Sequence, residues 1–117
     1  MKHVRIGGKT GAFVKLLQSG DGQAYLMSLR SGETSSEEPD NEHPHSEQWL
    51  FVISGVGQIA IGKARSRLRF VSLRSGSLLL VEKGELHQVQ NTGRRNLVTL
   101  NLYIPPAYDK RGNPNED

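Results

Sequence analysis

The stretch Gly76–Asn91, GSLLLVEKGELHQVQN, constrains the fold more than any other. Ser77–Val81 is an apolar run of strand length. Glu82–Glu85 is a polar turn, and Gly84 supplies the positive φ that such turns demand. Leu86–Asn91 then reads as a second strand. Side chains alternate along a strand, so His87 and Val89 share one face.

The same punctuation recurs along the chain. Ala24–Leu29, Trp49–Ile53, Gln58–Ile61 and Leu97–Ile104 are strand-length runs, separated by turn clusters at Gln18–Gly22, Ser54–Gly57 and Asn91–Arg95. Ala12–Leu17 fits either a strand or one short helical turn. Trp49–Ile53 is the most apolar run; it predicts a central strand covered on both faces, with Trp49 in the core. Arg65, Arg67 and Arg69 alternate with Ser66, Leu68 and Phe70, which predicts a half-exposed strand with a basic face. Glu33–Glu42 contains no apolar residue and predicts a solvated loop. Pro105-Pro106 closes the last strand, because proline cannot donate to a ladder. About eight short strands at this spacing, with no long helical pattern, predict an all-β sandwich or barrel. With 117 residues the chain fits one domain. The expected division is an N-terminal arm at 1–10, the domain at 11–106 and a flexible C-terminal tail at 107–117.

Composition narrows the chemistry. The chain has no cysteine, so a metal would rest on His, Asp, Glu, Gln or Asn. Such donors suit Fe, Mn, Ni, Cu or Zn. No run approaches the ~18 apolar residues of a membrane span. The opening MKHVRIGGKTGAF lacks the apolar core of a signal peptide, so a cytoplasmic protein is expected. The formal charge of +3 is modest. The arginine stripe lacks the aromatic platform on which single-stranded nucleic acids stack, and nucleic acid is not an expected partner.

The second informative stretch is His43–Gly55, HPHSEQWLFVISG. If His43 and His45 lie on a strand, both rings face one way and can aim at one point. His87 can supply a third imidazole. The next donor is Gln48 or Glu47. Counting back from Gly55 selects Gln48 and requires a one-residue bulge after His45, whereas strict parity from His45 selects Glu47. Glu47 is also the one obvious general base.

Gly76, Gly84, His87 and Asn91 resemble the second signature motif of the cupin superfamily, with Glu82 where the motif usually has proline. His43–Gly55 resembles the first motif: an HxH pair, a carboxylate or amide ligand, an apolar strand and a glycine. The glycine that usually precedes the HxH pair at a short gap is missing, which suits an acidic loop inserted at the mouth of a barrel. The resemblance implies a double-stranded β-helix, the cupin jelly roll of two packed antiparallel sheets. It implies a divalent transition metal ion held by His43, His45, Gln48 and His87. It further implies a small-molecule ligand and Lewis-acid or dioxygen chemistry of a dioxygenase, isomerase or lyase, or else a non-catalytic binding or sensing module in the same pocket. Small cupins commonly pair through edge strands, so a homodimer is expected.

Overall fold

A computed structural model describes residues 1–9 and 11–115. Eight strands run in order: β1 (Phe13–Gln18), β2 (Gln23–Leu29), β3 (Glu47–Ser54), β4 (Val56–Gly62), β5 (Arg69–Arg74), β6 (Leu78–Val81), β7 (Leu86–Asn91) and β8 (Leu97–Ile104). They form two antiparallel sheets, one of five strands in the order β1-β2-β8-β3-β6 and one of three in the order β5-β4-β7. This is the expected jelly roll. Ala12–Leu17 resolves as strand β1.

Period-2 alternation in both sheets builds the core between them. Leu50 and Val52 of β3 and Leu97 of β8 meet Ile59 of β4, Leu73 of β5 and Val89 of β7 in one apolar cluster. Each such side chain, taken fully out of water, contributes about 1.5–3 kcal/mol. Gly55 closes the β3–β4 turn at φ +92°, and a Cβ there would stand 2.5 Å from the Asn96 carbonyl oxygen. No other residue fits that turn, which fixes the register of β3 and therefore the inward face of Gln48.

Four expectations are corrected. Trp49 and Phe51 point away from the core, since β3 is buried on one face only. Its apolar outer face made the strand look doubly covered. The arginine alternation is not a strand throughout: Arg65–Arg67 is a short 3₁₀ turn and β5 starts at Arg69. The acidic loop is tied down along β7, where Ser35 N donates to the Val89 carbonyl, Asn91 N to the Glu33 carbonyl and His87 N to the Asp40 carbonyl, at 2.8, 3.0 and 2.8 Å. Most of its side chains face water as expected, but its backbone is bridged to β7 at Thr34–Gln90 and Asp40–His87. Finally, the chain after Pro106 does not leave the domain freely. Ala107 and Tyr108 are buried, and the Gln23 side chain accepts from both of their backbone N–H groups and donates to the Tyr108 carbonyl.

Candidate functional site

A cavity of about 310 Å³ opens between the two sheets. Its floor is Met27, Leu29 and Val89; Gln48, His87, Tyr103 and Tyr108 form one wall, and Glu33, Asp40 and Glu42 stand on the acidic loop. The Asp40–His87 backbone bridge holds the loop and β7 together at this point. Among the described residues no lysine or arginine lines the cavity.

His43, Gln48 and His87 come together. The two imidazole rings lie 4.9 Å apart between centroids. His43 Nε2 stands 2.9 Å from Gln48 Oε1, and Gln48 Nε2 donates to Asn101 Oδ1 at 2.8 Å. Asn101 Nδ2 in turn donates to Thr99 Oγ1 at 2.9 Å. Gln48 and Asn101 face inward from neighbouring strands, and both are buried with Thr99. The ladder sets the Gln48 amide so that its oxygen, not its nitrogen, faces His43.

His45 does not join them. His43-Pro44-His45-Ser46 is a turn, closed by Ser46 N donating to the His43 carbonyl at 3.1 Å. Proline at the second position of such a turn is favoured because its φ is already set. The strand begins only at Glu47, so the i, i+2 rule does not apply to the pair. His45 is exposed and borders a shallow crevice against Pro105 and Pro106. Glu47 also faces away: it shares the outer face of β3 with Trp49, whose indole Nε1 donates to its Oε1 at 3.1 Å. Asn91 is the buried last residue of β7 and ties the neighbouring segments together, with Nδ2 donating to the Leu29 and Arg95 carbonyls at 2.8 Å each.

Burial governs the electrostatics. Desolvation first and then the charge of His43 bring the His87 pKa down to about 4, against an opposing contribution from the Glu85 backbone. His87 is therefore neutral at pH 7, and its buried Nδ1 makes no hydrogen bond. Burial, followed by the neighbouring Asp40 charge, raises the Glu42 carboxyl above its ordinary range; His43 opposes this. Asp40 is raised by burial first and then by Glu38, with His43 and Arg65 pulling the other way. Burial keeps the Tyr103 and Tyr108 hydroxyls protonated. Sequence reading missed Tyr108 as a cavity residue and put Asp40 and Glu42 only in an acidic loop at the barrel mouth. The adjacency of Glu42 to His43 was the available signal.

The Cupin domain family profile matches residues 25–103, which takes in His43, His87, Gln48 and the whole cavity floor. The chain belongs to the cupin family. The Bacillus subtilis protein YrkC is 35% identical over 87 residues, which cover 74% of this chain and 45% of YrkC. The chain thus spans less than half of that relative's length. Among solved structures, BH2720 from Bacillus halodurans superposes with a TM-score of 0.79 at 28% identity, covering 92% of this cupin and 78% of BH2720. An RmlC-like cupin family protein from Methanocaldococcus jannaschii gives a TM-score of 0.66 at 18% identity, covering 88% and 87% of the two chains. That second likeness concerns the fold alone. Among the described residues no helix is long and apolar enough to cross a membrane.

Proposed function

We propose that this cupin holds a divalent transition metal ion on His43, Gln48 and His87 and acts as a Lewis-acid site for a small neutral or cationic molecule. The observation that carries this reading is the contact between His43 Nε2 and Gln48 Oε1. The Ser46 carbonyl can only accept, so His43 Nδ1, 3.2 Å away, is the nitrogen that carries the proton. Nε2 then presents a lone pair, and so does the Gln48 oxygen that faces it. Two lone pairs 2.9 Å apart call for a positive charge in reach of both. Donors about 2.1 Å from one ion and at right angles to each other stand about 3.0 Å apart, which suits this pair. The neutral His87 ring supplies a third donor, and three protein donors leave positions open for ligand, as catalytic metal sites do. Among the described residues no three His, Asp or Glu side chains form a ready cage. A site here depends on the glutamine.

A bound divalent ion would polarise a carbonyl or enolate oxygen of the ligand. The chain does the rest. The Ser46 carbonyl fixes the His43 tautomer, and Asn101 fixes the Gln48 amide. Tyr103 and Tyr108 offer protonated hydroxyls. Glu42, with its raised carboxyl pKa, takes the proton-handling role that the sequence suggested for Glu47. Carboxylates on the loop, with no lysine or arginine among the described lining residues, disfavour phosphate and carboxylate groups on the part of the ligand that does not touch the metal. Metal analysis of the protein, purified with divalent metals supplied, tests the reading. Close to one equivalent bound by wild type and almost none by the His43→Ala/His87→Ala double variant supports it. A wild-type protein that retains no more metal than the double variant refutes it, and a second proton on His43 then satisfies Gln48 instead.

A further inference from the structure

We infer that the cavity carries a cation subsite beside the proposed metal seat, made by the rings of Phe13, Tyr103 and Tyr108 with the carboxylates of Asp40 and Glu42, and that it receives an alkylated ammonium group. All five side chains line the cavity that His87 and Gln48 also line. Phe13 stands on β1, Tyr103 on β8 and Tyr108 beyond the proline pair. The three rings lie near right angles to one another: Phe13 and Tyr103 at 75°, Phe13 and Tyr108 at 71°, Tyr103 and Tyr108 at 82°, with centroids 6.4, 5.1 and 5.0 Å apart. Tyr25 stacks on Phe13 at 4.3 Å and holds that ring in place. Phe13 is 37% exposed, against 3% for Tyr103 and 5% for Tyr108, so an entering ligand meets its ring first.

Charge and ring chemistry select the occupant. An aromatic face is negative at its centre and attracts a cation within about 6 Å of the centroid, more strongly where water is excluded. Asp40 and Glu42 add negative charge on the loop side. Ion pairs among the described residues are Arg30–Glu33 and Arg65–Glu38, and neither Asp40 nor Glu42 joins one. A neutral apolar ligand would leave both carboxylates unanswered. His87 independently points to a ligand in this cavity: it is 8% exposed, and its buried Nδ1 has no hydrogen-bond partner. Alkyl groups on the nitrogen suit the site better than N–H donors, because the Phe13 ring offers no lone pair to accept from them. Two ring-to-ring steps, 5.1 Å from His43 to Tyr103 and 5.0 Å from Tyr103 to Tyr108, lead from the metal seat to the subsite. The ligand is therefore a small molecule with an ammonium group at one end and, a short carbon chain away, the oxygen that the metal would polarise. The inference rests on the proposed metal reading for that oxygen end; the cation end needs no metal.

Calorimetric titration of the chelator-treated full chain with choline, and with its carbon isostere in which a tert-butyl group replaces the trimethylammonium group, tests the subsite without metal. Near-UV circular dichroism establishes that each variant is folded. Wild type is expected to bind choline at least about 10-fold tighter than the isostere. Phe13→Leu keeps an apolar side chain and removes the ring; it should lower that preference about 3–10-fold and leave isostere binding unchanged. Asp40→Asn with Glu42→Gln should lower it as well, again through choline alone. Equal affinity of wild type for the two compounds, or no measurable choline binding at millimolar concentration, would overturn the inference. So would equal losses of both compounds in Phe13→Leu, the mark of simple apolar packing. Neither titration contains metal, so its result stands apart from metal analysis. A chain that binds metal without preferring choline loses the subsite and keeps the metal seat; one that prefers choline and binds no metal keeps the subsite and loses the seat.

Discussion

Gln48 and Asn101, 53 residues apart in sequence, are joined by a buried 2.8 Å hydrogen bond. That bond decides which end of the Gln48 amide meets His43. Asn101 is a positioning residue: it acts on the site only through Gln48. Asn101→Leu removes the acceptor while keeping a similar volume. We expect metal affinity to fall about 10–100-fold, as for other outer-shell partners of metal ligands. The unpaired Gln48 amide should cost stability by about 1–3 kcal/mol. Calorimetric metal titration and urea unfolding measure the two effects separately. Asn101→Asp keeps an acceptor for Gln48 and should recover most of the affinity.

Acid should destabilise the metal-free protein through His87. In the unfolded chain this imidazole gains its proton as pH falls through 6.5; in the fold it does so only near 4. Between those values the unfolded state holds more protons, so stability rises with pH across the window and levels off above it. The full difference is about 3 kcal/mol. Urea unfolding of wild type and His87→Gln from pH 4 to 8 should show this slope in wild type and a shallower one in the variant. Equal slopes would mean that His87 is not held neutral.

The cavity should discriminate by ligand charge. In the metal-free protein Glu33, Asp40 and Glu42 line it, and among the described residues no lysine or arginine lines it. In ligand-observed NMR of the metal-free protein with matched small amines, amides and carboxylates, the carboxylates should bind weakest. Glu42→Gln with Asp40→Asn should raise carboxylate affinity about 3–10-fold with little effect on the amides. Carboxylates that bind wild type as well as the amides do would contradict this.

Gln23 should anchor the C-terminal segment. Its side chain serves the backbone of Ala107 and Tyr108 with three hydrogen bonds of 2.7–3.0 Å. Gln23→Ala leaves those groups unpaired, and we expect a loss of about 2–3 kcal/mol. Trypsin should cut at Lys110 and Arg111 faster in the variant than in wild type.

Much of this molecule was legible from turn chemistry. Gly84 adopts φ +86°, as the polar turn required, and places His87 on an inward face of β7. Counting back from Gly55 selected Gln48 over Glu47, and the structure buries the first while turning the second outward. The failures have physical causes. Pro44 bends His43–Ser46 into a turn, so strand parity misplaced His45. Burial of Trp49 was inferred from hydrophobicity alone, which cannot distinguish a core from an apolar outer face. The acidic loop pairs with β7 through its backbone, which carries no sequence signal. Tyr108 lies just beyond the proline pair that ends the last strand, and it packs against Tyr25 and Tyr103 and bonds to Gln23, 85 residues away.

The metal affinities of His45→Ala and His87→Ala, measured side by side by titration with Ni²⁺ or Mn²⁺, bear most directly on the proposed seat. His45→Ala should bind within about threefold of wild type, because its ring lies outside the cavity. His87→Ala should lose at least 100-fold. Equal losses in the two variants, or a larger loss at His45, would contradict the account.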